Sequence, residues 1–202
     1  MPARAIVAEG HSHAEALATN YSVEPKKIYV SGFSNGAAMA SLLWAAASDL
    51  LAGVASSAGF HSDSTIVSTS RVPLVFAIGE MDDNLAATVG FSLPLPLNAS
   101  LFDIGWFRLV RGNGTSRLGL SSVYTTTTNA AGVTFHFATP ASANAEMYLW
   151  IVKGLSHQYA NGTNYPLKYA DVFWDFFAKH RKAAIARGEP AASGHGLWTA
   201  RV

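Results

Sequence analysis

A chain of 202 residues, half of them hydrophobic, can bury one sizeable core and is too short for two full domains. Its 14 basic and 13 acidic residues leave a formal net charge of +1, with no basic stripe for nucleic acid and no polybasic membrane anchor. Zero cysteines exclude disulfides, thiolate catalysis and cysteine-ligated metals.

In chain order, the opening MPARAIVAEGHSH lacks the long apolar core of a signal peptide. Residues 12–21 favour a helix, with Ser12 and Glu15 spaced as a capping box. After the turn VEPKK, Ile28 to Ser31 is predicted to be a short buried strand. Ala37 to Ser48 should be a helix, apolar all round and so buried on every side. Leu51 to Ala58 and Val72 to Ile78 are two more short apolar runs bounded by Gly, Ser and Pro. Between Asn84 and Leu120 the pattern weakens: the prolines of FSLPLPLNAS forbid a regular element, and LFDIGWFRLV reads as one helix. Ser122 to Thr128 and Val133 to Ala138 read as extended segments around NAAG, and Met147 to Val152 is the clearest strand. Asp171 to Lys182 is an amphipathic last helix whose His180, Arg181 and Lys182 suit its C-terminal dipole. Helices alternating with short apolar strands predict an α/β fold with a mostly parallel sheet covered on both faces. Residues 1–186 should form this one domain and 187–202 a loose tail rich in Gly, Pro, Ala and Ser.

Gly32-Phe33-Ser34-Asn35-Gly36 fits G-x-S-x-G and stands between an apolar strand and a helix, the context this motif requires. There the glycines permit a turn tight enough to lift Ser34 above the sheet, and the Asn35 N–H at the helix start becomes one oxyanion donor. A serine needs a base, and the base an orienting acid; in an α/β-hydrolase both follow the serine, acid first, each on a loop after a strand. Asp82 in VPLVFAIGEMDDN meets the first condition, with Asp83 and Glu80 as rivals, and His157 in MYLWIVKGLSHQY meets the second. Of the other histidines, His136 belongs to an alternating strand, His180 to a helix end and His195 to the tail, while His61 follows a strand end and could line the site. His11 and His13 form an H-x-H without partner ligands, so no metal is expected. No cofactor is expected either, since no G-x-G-x-x-G or Walker motif follows a strand. Phe33, Trp106 and Tyr159 are the aromatics placed to shape an apolar cleft.

The segments VEPKKIYVSGFSNGAAMASLLW, AGVASSAG, VPLVFAIGEMDDN and MYLWIVKGLSHQYANGTN, with ADVFWDFFAKH, together resemble the polyhydroxybutyrate depolymerase-like esterases, which include feruloyl and acetylxylan esterases. The resemblance covers about residues 14–182 and is patchy between Asn84 and Leu120. It implies a three-layer α/β-hydrolase fold, a serine esterase with Ser34 as nucleophile, Asp82 as acid and His157 as base, and polyesters or aryl and acetyl polysaccharide esters as substrates. It also implies an extracellular setting, which the N-terminus does not supply; the sequons at Asn20, Asn98, Asn113 and Asn161 are a weak pointer the same way.

Two departures stand out. Gln158-Tyr159-Ala160 replaces the family's Thr-Trp-Pro after the histidine, so the substrate wall should differ. The family's first half, with the second oxyanion donor, has no counterpart before the elbow, so the fold is expected in N-terminally shortened form. Ile28 to Val30 should then lie at a sheet edge, covered by residues 4–8 or by a second copy in a homodimer, unless the chain is a fragment. On this reading the alternative to an esterase is a remnant of the fold, catalytically weak, acting as a binding module.

Overall fold

The computed structural model describes residues 23–61, 65–139 and 145–182, with residues 12, 16 and 19–21 ahead of them. Its elements are β1 (Tyr29–Phe33), α1 (Asn35–Ala46), β2 (Gly53–Ser57), β3 (Leu74–Gly79), α2 (Asp83–Val89), a 3-10 turn (Ala99–Asp103), α3 (Gly105–Leu118), β4 (Thr125–Asn129), β5 (Gly132–Ala138), β6 (Glu146–Val152) and α4 (Tyr169–Phe177).

Alternation along the central strands sets the layers. Leu74, Phe76 and Ile78 of β3 join Met147, Leu149 and Ile151 of β6 in a core shared with Trp44 of α1 and Phe107 and Val110 of α3. Their neighbours Val75 and Ala77, with Tyr148 and Trp150, face Tyr169, Phe173, Phe176 and Phe177 of α4. With helices on both faces, an α/β sheet keeps its strands apolar throughout, and β2 and β3 are buried at every residue. The strand order is β1-β2-β3-β6-β5-β4; the first four run parallel, and β5 and β4 are antiparallel additions. Among the described residues β1 has a neighbour on one side only, the edge position expected of it. Its Tyr29 is stacked on Phe177 at 4.7 Å, which ties this edge to α4.

Several expectations need correction. α1 is buried along Ala37, Ala40, Ser41, Trp44 and Ala45, but Met39 is 40% exposed, so the helix covers the sheet with one face. The segment expected as one helix around Trp106 is broken at Ile104, whose extended backbone separates the 3-10 turn from α3. α3 then continues to Leu118 through Gly112 and Gly114. At Gly114 a Cβ would fall 2.2 Å from the Met147 sulfur, so the missing side chain lets the helix lie close on β6. The last helix ends at Phe177, not Lys182. His180 is accordingly no helix-end charge: it is buried, with Nε2 2.9 Å from Glu146 Oε1. Of the helix expected over 12–21, positions 12, 16, 19 and 20 are helical, while Glu15 of the expected capping box lies outside the described residues. So do residues 4–8, His11, His13 and the tail from 187.

Candidate active site

Ser34 sits where β1 turns into α1, with φ 54° and ψ −119°, a left-handed backbone that a side chain adopts only under constraint. The constraints are visible. Ser34 N–H donates to Ser57 O at 2.9 Å, and its carbonyl accepts from the N–H groups of Ala37 and Ala38. The next loop is tied down by Ser56 Oγ, which donates to Gly59 O at 2.6 Å. A Cβ on Gly32 would lie 2.1 Å from Gly36 O, so the elbow can fold this tightly only with glycine there. The N–H groups of Asn35 and Gly36, in the first turn of α1, have no acceptor within the helix.

The acid loop follows β3. Asp82 is fully buried and caps α2, its Oδ1 accepting from Leu85 N–H at 2.9 Å. The same oxygen lies 2.8 Å from His157 Nδ1. His157 stands on the loop after β6 with its side chain 16% exposed, and its Nε2 is 2.9 Å from Ser34 Oγ. A carboxylate can only accept, so the Nδ1 proton belongs to His157. In the neutral ring Nε2 then carries the lone pair, and the Ser34 hydroxyl donates to it. The rivals of Asp82 are engaged elsewhere: Asp83 Oδ1 accepts from Asn84 N–H on the surface, and Glu80 Oε2 accepts from Gly154 N–H at 2.7 Å.

The structure brings two of the three expected cleft aromatics to this array. Phe33 is 5.0 Å from the His157 ring and meets Tyr159 edge-on at 6.1 Å. Tyr159 in turn rests on Tyr169 at 5.4 Å, and burial, followed by the charge of Asp171, pushes its phenol above the usual range. Trp106 makes no ring contact with this array: its half-buried ring packs against Phe76, Phe91 and Phe107 at the margin of the core. His61 is exposed, and its backbone N–H donates to Ser41 Oγ. In the Gln158-Tyr159-Ala160 segment, Asn164 Nδ2 donates to Gln158 Oε1 at 3.1 Å and to Tyr159 O at 3.0 Å, pinning the chain next to His157.

No protein-family model matches the chain, and no curated protein matches it. Among solved structures, an acetyl xylan esterase from Aspergillus awamori is similar in fold, with a TM-score of 0.50 at 16% sequence identity. The chain has an esterase-like α/β fold. The match covers 81% of this chain and 63% of the fungal enzyme, so the chain spans less than two thirds of that enzyme's length. Sequence spacing picked out Ser34, Asp82 and His157 but missed the second duty of Asp82 as the cap of α2. The Asp-Asp-Asn that opens α2 carries that signal, since a short polar acceptor before a helical run is a capping pattern.

Proposed function

We propose that this protein is a serine hydrolase of carboxylic esters. The reading rests on the hydrogen-bonded series Asp82–His157–Ser34, assembled from three loops at the C-terminal ends of β3, β6 and β1. Ser34 Oγ attacks the ester carbonyl while His157 Nε2 takes its proton, and Asp82 holds the imidazole and balances its positive charge. The tetrahedral oxyanion is met by the Asn35 N–H at the start of α1. Collapse expels the alcohol, which receives the proton from His157, and leaves an acyl-Ser34 ester. Water, activated by the same nitrogen, then releases the acid. The fungal enzyme of similar fold is named an acetyl xylan esterase, so acetyl esters of polysaccharide are the first substrate class, with aryl esters and polyhydroxyalkanoate-type polyesters, which the sequence resemblance implies, beside them. Phe33 and Tyr159 supply an apolar wall beside the histidine for each.

The test is hydrolysis of p-nitrophenyl acetate and butyrate by the purified chain beside Ser34→Ala. Loss of the nucleophile should lower turnover by about 10³-fold or more. Equal rates from two well-folded proteins would overturn the assignment.

A further inference from the structure

The loops carrying Asp82 and His157 do not merely meet at that pair. Val152 O accepts from Glu80 N–H at 2.8 Å, and Leu155 O accepts from Met81 N–H at 2.9 Å. At Gly79 a Cβ would fall 2.1 Å from Leu155 O and 2.8 Å from Ser156 O, so the two loops run in backbone contact. On the flank of this seam, Glu80 Oε2 accepts from the N–H of Gly154 at 2.7 Å. Gly154 has φ +70° and makes the left-handed turn that ends β6 and sends the chain toward His157. The carbonyl of Lys153, in the same turn, accepts from the Tyr165 hydroxyl. Glu80 itself is fixed at its other end, its carbonyl accepting from Leu95 N–H at 2.9 Å.

From these contacts we infer that Glu80 is a positioning residue for His157, an inference that rests on the esterase reading above. Its carboxylate clamps the turn three residues before the histidine to the strand end two residues before the acid. A charged acceptor on a backbone N–H is among the stronger hydrogen bonds available, and this one ties the Gly154 N–H across the seam to the loop that carries Asp82. Glu80 contributes no proton and touches no substrate. It sets where Nε2 stands relative to Ser34 Oγ, and a displacement of about 1 Å there costs turnover severely.

Glu80→Gln keeps an acceptor for Gly154, whereas Glu80→Ala removes it. The expected result is that Glu80→Ala lowers kcat on p-nitrophenyl acetate by roughly 10- to 100-fold with KM unchanged. Glu80→Gln should retain most of the wild-type kcat and the same acid limb of the pH profile. In parallel, proton NMR follows the low-field resonance of the His157 Nδ1 proton, which reports the Asp82–His157 bond whether or not the protein turns over. It should persist in wild type and Glu80→Gln and broaden or vanish in Glu80→Ala. Equal kcat and equal resonances in all three proteins would overturn the inference, as would Glu80→Gln failing as badly as Glu80→Ala, since then charge and not the clamp would matter. Were wild type to match Ser34→Ala in turnover while Glu80→Ala alone lost the resonance, the esterase reading would fall and the positioning role would stand.

Discussion

Asp82→Asn separates two duties performed by one carboxylate oxygen. Oδ1 caps α2 through Leu85 N–H and holds His157 Nδ1, and an asparagine oxygen in the same place accepts both bonds. What is lost is the negative charge. When His157 takes the Ser34 proton, the imidazolium lacks a counter-charge whose centre lay about 4 Å away; at an effective dielectric of about 20 that attraction is about 4 kcal/mol. Converted at about 1.4 kcal/mol per decade, kcat/KM should fall by about 10³-fold. Stability should move far less, because the cap survives and the new amide replaces Oδ2, an atom already without a protein partner. One unpartnered atom exchanged for another changes stability by about 1 kcal/mol or less. The assay is kcat/KM on p-nitrophenyl acetate beside the thermal midpoint, with Asp83→Asn as control. A variant within about threefold of wild type would refute the reasoning, and a fall confined to Asp83→Asn would move the acid by one residue.

Two further outcomes follow from the packing. Gly79→Ala pushes a methyl into the carbonyls of Leu155 and Ser156, all backbone, so the histidine loop must give way. It should cost about 1–3 kcal/mol in urea unfolding and lower kcat together with stability; a silent substitution would show that the seam is slack. At Glu146, burial works against the charge, yet the contacts with His180 and His136 outweigh it and hold the carboxyl down to about 2. His136 makes a directed bond at 2.7 Å, whereas His180 lies 2.9 Å away without hydrogen-bond alignment, so His136 is the firmer partner. A carboxyl depressed in the folded state adds stability that is complete above its ordinary value of 4.5 and is lost as pH falls toward 2. Discounted for solvent screening of this half-buried carboxyl, Glu146→Gln should be destabilised by about 1–2 kcal/mol at pH 7, with the gap closing in acid; a gap independent of pH would remove the charge from the explanation.

The strands were legible because each is a short apolar run between breakers: Tyr29–Phe33, Gly53–Ser57, Leu74–Gly79 and Glu146–Val152 all fall within one or two residues of where composition put them. The three residues of the hydrogen-bonded series Asp82–His157–Ser34 were legible because strand, glycine and polar side chain recur in one order at each loop. Other features depend on the partner surface and not on the local pattern. The interior of α3 holds Gly112 and Gly114, which intrinsic propensity penalises, and Met147 fills the space where a Gly114 side chain would stand. His180 carries no local sign of burial; Glu146, 34 positions earlier in the chain, accounts for it. Trp106 looks the same in sequence whether it stands beside His157 or against the core, and it is the rings of Phe76 and Phe91 that place it at the core margin.

The hydrogen bond from Ser34 to His157 joins positions 123 residues apart, and it exists only because β1, β2, β3 and β6 lie side by side in parallel register. Parallel pairings have no hairpin to nucleate them, so they are closed late and slowly during folding. A probe that reacts only with an activated serine therefore keeps time for the sheet. In a chain refolding from urea, helical signal from α1 should appear first, and Ser34 should become labelled only once β6 has docked against β3. Chemistry at one hydroxyl would then be a clock for the most distant contacts in the molecule.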